Sequence, residues 1–260
     1  RTSHVSLEGL ARFLLRAESV ASSRIEGLEA GPRRLLDAEV AMAQGGVAAD
    51  RIAVEVLANV AAMEAAVELG ASTGSITLDD LLDIHRILME RSPTPQIGGV
   101  IRTAQNWIGG SSYNPCSAAF VPPPPAFLDD LLQDLLTYVN GDDHPALVQA
   151  AIAHAQFETI HPFADGNGRT GRALIHVILR RRGLAERFVP PISLVLATWA
   201  SDYIAGLTAY RHVGLHDSPA RSSAAVTWLR TFTTAAHRSC HDAEAHATRI
   251  EALNARWRQQ

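Results

Sequence analysis

Apolar positions recur at three- and four-residue spacing through the first part of the chain, as in Ile52, Val56, Val60, Met63 and Val67, and that period predicts helix. The alanine- and arginine-rich stretch from Leu7 to Leu69 is punctuated by Gly45-Gly46 and closed by Gly70, and a further helix is expected from Leu78 to Glu90 with Thr77 as its N-cap. Phe127 to Asn140 and Ala146 to Ile160 have the same period. The second of these is apolar on nearly every face, which places it in the centre of a core. Helical spacing resumes from Arg169 to Arg182, stops at Gly183, and returns around Ser201 to Arg211 and Ser222 to Arg256. Between Ser92 and Pro125 the pattern changes. Short apolar pairs, Val100-Ile101 and Trp107-Ile108, lie between Gly98-Gly99 and Gly109-Gly110 and predict a strand or hairpin, followed by an extended run from Pro122 to Pro125. The expected fold class is all-α with one small β element.

With 260 residues the chain has room for one large domain or a core with a helical extension, divided here as an N-terminal helical region 1–70, a core 71–190 and C-terminal helices 191–260. Hydrophobic residues at 47% and charged residues at 19% argue for a sizeable buried core and against disorder. A net charge of -4 supplies no global basic field for nucleic acid or anionic lipid, and no apolar run is long enough to predict a membrane partner. All 23 basic residues are arginines. A phosphate-loop lysine, a Schiff-base lysine and a kinase lysine are thereby excluded, so phosphate handling falls to arginine and backbone amides. Cys116 and Cys240 offer neither a disulfide framework nor a paired-cysteine zinc motif, and a reducing, cytoplasmic setting is expected. The sequence begins with Arg1 rather than Met, as expected of an excised or processed piece, and a flanking domain is left open.

The chemistry concentrates in His161-Pro162-Phe163-Ala164-Asp165-Gly166-Asn167-Gly168-Arg169-Thr170-Gly171-Arg172, between two predicted helices. Gly166 and Gly168 let consecutive N–H groups converge on one point, and that point lies at a helix start, where free amides and the positive dipole end favour phosphate. Arg169 and Arg172, three apart, project from one side of that helix and suit separate phosphate groups. Asp165 offers one hard oxygen ligand, appropriate to a magnesium ion that keeps most of its waters. His161 is the one group of the segment that exchanges a proton near neutral pH.

This segment resembles the Fic family signature HPFx[DE]GNGRxxR at every specified position from His161 to Arg172. The resemblance implies an all-α core with a β-hairpin flap that transfers AMP from ATP, with Mg2+, to a Ser, Thr or Tyr hydroxyl of a target protein. By position, His161 is then the base, Asp165 the magnesium ligand, Gly166, Asn167 and Gly168 the anion hole, and Arg169 and Arg172 the polyphosphate arginines. Phe163 anchors the loop. Gly99 to Gly109, with Arg102, Gln105, Asn106, Trp107 and Ile108, resembles the flap that positions the target. An exposed sheet edge binds an extended segment by strand addition. Ser22-Ser23-Arg24-Ile25-Glu26-Gly27 resembles the inhibitory motif [ST]xxxE[GN], with Ser22, Glu26 and Gly27 in place. In the family this glutamate pairs with the second motif arginine, Arg172 by position, where the γ-phosphate would lie.

Tyr203, Leu207 and Tyr210 sit at helical spacing where the family usually supplies contacts to adenine, a spacing equally typical of core. His237, Cys240, His241 and His246 are taken as a polar helix surface, because nothing completes a metal site. Removal of AMP from a modified protein would use the same residues, and a non-catalytic nucleotide-sensing module of a larger regulator is the reading from another class. The target, its modified residue, a homodimer and the signal that lifts inhibition are left open.

Overall fold

The computed structural model describes residues 3–72, 74–111, 113–211, 215 and 218–257. The N-terminal helices among them are α1 (Ser3–Ile25), α2 (Pro32–Ala43) and α3 (Arg51–Ala71). They are followed by α4 (Leu78–Met89), α5 (Leu128–Asn140), α6 (Ala146–Ile160) and α7 (Asn167–Arg181). Helices α8 (Ile192–Thr198), α9 (Ala200–Tyr210) and the long α10 (Pro219–Trp257) complete the set. No single helix among the described residues is long and apolar enough to cross a membrane.

Local chemistry sets the boundaries. Thr77 opens α4 with a capping box: its hydroxyl accepts from the Asp80 N–H while the Asp80 carboxylate accepts from the Thr77 N–H at 2.7 Å. Asp50 opens α3, accepting from the Ala53 N–H at 3.0 Å. Helix α7 is the axis of the molecule, with its residues from Asn167 to Leu179 all buried. It packs chiefly between α3 and α6, with α4 and α1 against its flanks. Helix α6, apolar all round, is sealed between α5, α7 and α10, and Trp228 on α10 donates its indole N–H to the Ala151 carbonyl at 2.8 Å. The axial position puts the first turn of α7, and the loop before it, at the meeting point of four elements.

The segment expected as a hairpin contains no strand among the described residues. Two single bridges, Ile101 to Phe163 and Ile108 to Phe120, take the place of a ladder. The reason is local. Pro122 to Pro125 lack the N–H groups a ladder needs, and their carbonyls are taken up by side chains instead: Gln105 donates to the Pro122 carbonyl at 2.9 Å and Arg102 to the Pro123 carbonyl at 2.6 Å.

Candidate active site

Helix α6 ends on His161, whose φ of 51° makes it the only non-glycine residue with positive φ among the described residues. Pro162 disfavours continuation of the helix, and a left-handed non-glycine residue persists only where its surroundings over-determine it. Arg102 does so here. Its Nε donates to the His161 carbonyl at 2.9 Å while its backbone N–H donates to the Pro162 carbonyl at 2.9 Å. Asn167 staples the loop to itself, accepting from the Phe163 N–H and donating to the Phe163 carbonyl, both at 2.8 Å. Phe163 is buried and stacked on His85, with ring centroids 3.7 Å apart. His85 in turn accepts from the Gly99 N–H at Nδ1 and donates from Nε2 to the Asp165 carbonyl, each at 3.0 Å, so the neutral tautomer joins the segment after α4 to the loop. Burial holds its pKa down at about 4.

Gly166 caps α7 with a φ of 78°, leaving the first amides of the helix without intrahelical partners. Two arginines flank them. Arg169 is buried, yet its Nε and Nη1 have no hydrogen-bond partner and its Nη2 lies 3.9 Å from Asp165 Oδ1. A buried, unpartnered guanidinium beside free helix amides fits an anion. The Asp165 side chain is 65% exposed, and its Oδ1 accepts from the Gly166 N–H at 2.6 Å. Among the described residues no three His, Cys, Asp or Glu side chains are grouped to hold a metal. A single carboxylate beside a phosphate cradle is the donor set of a magnesium ion bound largely by water and phosphate oxygens.

His161 keeps 19% of its side chain exposed, and its buried Nδ1 has no hydrogen-bond partner. Desolvation, helped by the charge of Arg211, lowers its pKa to about 4, so the imidazole is neutral and able to take a proton at neutral pH.

Opposite the start of α7 stands the end of α1. Gly27, at a φ of 78°, closes that helix: its N–H donates to the Arg24 carbonyl at 3.0 Å and the Leu28 N–H to the Ser23 carbonyl at 3.0 Å. This paired closure needs a left-handed residue after the cap, and it leaves Glu26 as the cap itself. Arg172 donates from Nη2 to Glu26 Oε1 at 2.7 Å and to the Ser22 carbonyl at 2.8 Å, and from Nε to the Ser22 hydroxyl at 2.9 Å. A Cβ at Gly168 would fall inside the Glu26 carboxylate and 2.9 Å from Arg172 Nη1, so glycine is what admits the carboxylate to the mouth of α7. Burial alone would raise the Glu26 pKa, but the charge and hydrogen bond of Arg172, with Arg169 and His161 adding, hold it below the ordinary value. About two turns before Glu26 on α1 and one turn after Arg172 on α7, His176 Nε2 meets Glu18 Oε1 at 2.9 Å, and the Ser193 N–H and hydroxyl both donate to the same carboxylate, all of it buried.

The remaining expected site residues are distributed as follows. Arg102 is buried and committed to backbone carbonyls. Asn106 donates to the Phe163 carbonyl at 3.0 Å and Trp107 to the Ser111 carbonyl at 2.7 Å. Tyr203 is buried in the core, its hydroxyl 2.8 Å from His154 Nε2. Tyr210 is half-buried against the same core. Glu158, His85, Arg211, Glu18, His176 and Ser193 were not singled out from the sequence. The signal for Glu158 was present, as the one acidic residue in a largely apolar helix, three positions before His161.

The family model described as Fic/DOC family matches residues 75–179, and the one described as Fic/DOC family N-terminal matches residues 5–68, well over half of the chain between them. The chain belongs to the Fic/DOC family. It is 34% identical over 131 residues to a protein adenylyltransferase of Caenorhabditis briggsae, a match covering 49% of this chain and 23% of that protein. The chain thus spans about a quarter of the length of the curated relatives it matches. Among solved structures, a Fic family protein from Desulfovibrio desulfuricans superposes with a TM-score of 0.65 at 26% identity, covering 89% of this chain and 66% of that one. Fic-1 from Caenorhabditis elegans superposes with a TM-score of 0.66 at 21% identity, covering 96% of this chain and 67% of that one.

Proposed function

We propose that this chain is a protein adenylyltransferase that moves AMP from ATP onto a Ser, Thr or Tyr hydroxyl of another protein and is held at low activity by Glu26. The observation carrying the proposal is the buried guanidinium of Arg169, with Nε and Nη1 lacking any hydrogen-bond partner, beside the free amides of α7 and in a loop that also carries a neutral imidazole. Adenylyltransferase is also the activity named for the relatives with 34–38% identity.

The triphosphate is received by the amides after Gly166 and by Arg169, with Arg172 completing the cationic side. His161 accepts the proton of the target hydroxyl as its oxygen bonds to the α-phosphorus. The bond to the bridging oxygen breaks in line, and pyrophosphate leaves with the electron pair. Arg169 and the helix amides offset the charge that develops, which is the main source of acceleration in such transfers. Asp165 would hold magnesium, which supplies charge neutralisation on the phosphates when bound. The segment with Gln105, Trp107 and Ile108 borders this site and is assigned to the incoming target backbone.

The Glu26 carboxylate stands where a terminal phosphate would have to lie, already paired to the arginine that phosphate needs. The expected result of Glu26→Gly is a gain of AMP incorporation into the protein itself or into a lysate protein, read by intact mass, with none in Glu26→Gly/His161→Ala. ATP binding with no incorporation by Glu26→Gly would replace this reading with a nucleotide-sensing module.

A further inference from the structure

Glu158 lies on the last turn of α6, nine-tenths buried, with its Oε1 sealed and unpartnered. Its other oxygen, Oε2, is 3.8 Å from the Nδ1 of His161, which is equally sealed and unpartnered. Buried polar atoms without partners are rare in folded proteins, and here the unpartnered Nδ1 faces, at 3.8 Å, the Oε2 of a carboxylate whose other oxygen is also without a partner. Catalytic hydrogen bonds are often long before substrate arrives and shorten in the reacting complex.

We infer that Glu158 is the positioning residue of the base: its carboxylate receives Nδ1–H of His161, holds Nε2 toward the target hydroxyl, and balances the imidazolium once the proton arrives. The inference rests on the proposed role of His161 as base. In the transfer step the hydroxyl proton goes to Nε2 and stays on the ring, so Glu158 takes up no atom and supplies only a hydrogen-bond acceptor and a negative charge. A base oriented by a third group is the logic of catalytic triads, reached here within one helical turn.

The charges around the pair are accounted for. Arg172 from α7 and Arg211 from the end of α9 favour the carboxylate, Glu26 after α1 opposes it, and burial opposes it most, so the Glu158 carboxyl titrates at about 7. The ring faces Arg211, Glu26 and Arg102 and titrates at about 4. The backbone carbonyl of Glu158 also acts on the ring, raising its pKa, although no hydrogen bond to Nδ1 is formed. The carboxylate has to be tested separately from that carbonyl.

The test uses the full chain in the Glu26→Gly background, with Glu158→Gln, which keeps the carbonyl and the shape but removes the charge. Glu158→Gln is expected to lower kcat about tenfold or more, the size of a perturbed general base, with KM for ATP unchanged. The pH profile of kcat in the parent should have an acid limb near 7, which the substitution abolishes. The His161 ring, followed by NMR, should report two apparent steps in the parent, near 7 and near 4, and one in the variant. Glu158→Asp should restore part of kcat and the upper step, and it stands in if the glutamine variant does not fold. A parent ring with one inflection, or an unchanged pH profile in Glu158→Gln, overturns the inference. Failure of Glu26→Gly itself to transfer AMP while the upper step persists overturns the proposed activity instead, and leaves the pairing intact.

Discussion

Arg172 is tied to Ser22 twice, through the hydroxyl at 2.9 Å and the carbonyl at 2.8 Å, across 150 positions of sequence. Fixed in this way, it presents its remaining hydrogen-bonding capacity to Glu26. Ser22→Ala leaves a buried charged N–H without a partner, a loss of about 1–3 kcal/mol. Urea unfolding should register that loss, and basal AMP transfer should rise, though less than in Glu26→Gly.

Gly168→Ala places a methyl group inside the Glu26 carboxylate, an overpacking that costs about 1–3 kcal/mol. In Glu26→Gly the obstruction is removed, so the double variant should lose much less stability than the sum of the single ones. A double-mutant cycle in urea checks this, and additive behaviour would mean that the two residues do not meet.

Stability should fall as pH drops from about 6.5 toward 4. His85, His154 and His161 are held near 4, 3 and 4 by burial, so in that window the unfolded chain binds protons that the folded one refuses. Glu158 acts in the opposite sense: between 4.5 and about 7 the folded chain keeps a proton the unfolded one releases, and stability rises as pH falls. Three histidines outweigh one glutamate at about 1.4 kcal/mol per pKa unit. Urea midpoints at pH 7, 6, 5 and 4 measure the net decline, and the advantage of Glu158→Gln over wild type should grow from near zero at pH 4.5 to about 3 kcal/mol at pH 7.

Much of this was legible in the sequence because it depends on local rules. Thr77 defines a helix start and the glycines around Asn167 a loop feeding a helix, whereas the helical stretch read from Leu7 to Leu69 runs straight through the helix end at Gly27. The bridging segment was less legible, because two apolar pairs flanked by glycine carry a strand signal whatever faces them, and here prolines and side chains do. The partners of the loop were not legible at all. His85, Glu158 and the Glu18–His176–Ser193 cluster acquire meaning through contacts between helices distant in sequence, which periodicity does not encode.

Tyr203→Phe should leave the preference for ATP over GTP unchanged while lowering stability by about 1–3 kcal/mol, because the ring is in the core and the hydroxyl serves His154. Competition binding of the two nucleotides, beside thermal melts, separates these effects. A lost preference for adenine would return the residue to the nucleotide pocket.

The buried meeting of Glu18, His176 and Ser193 rivets α1 to the axis of the molecule about two turns before Glu26. Withdrawing the whole helix would carry the Glu18 carboxylate away and leave the buried His176 imidazole and Ser193 hydroxyl without their partner, so peeling it off is costly. If Glu26 is the brake proposed above, its release would then involve the terminal turn of α1 alone, a latch with a short throw rather than a detachable plug.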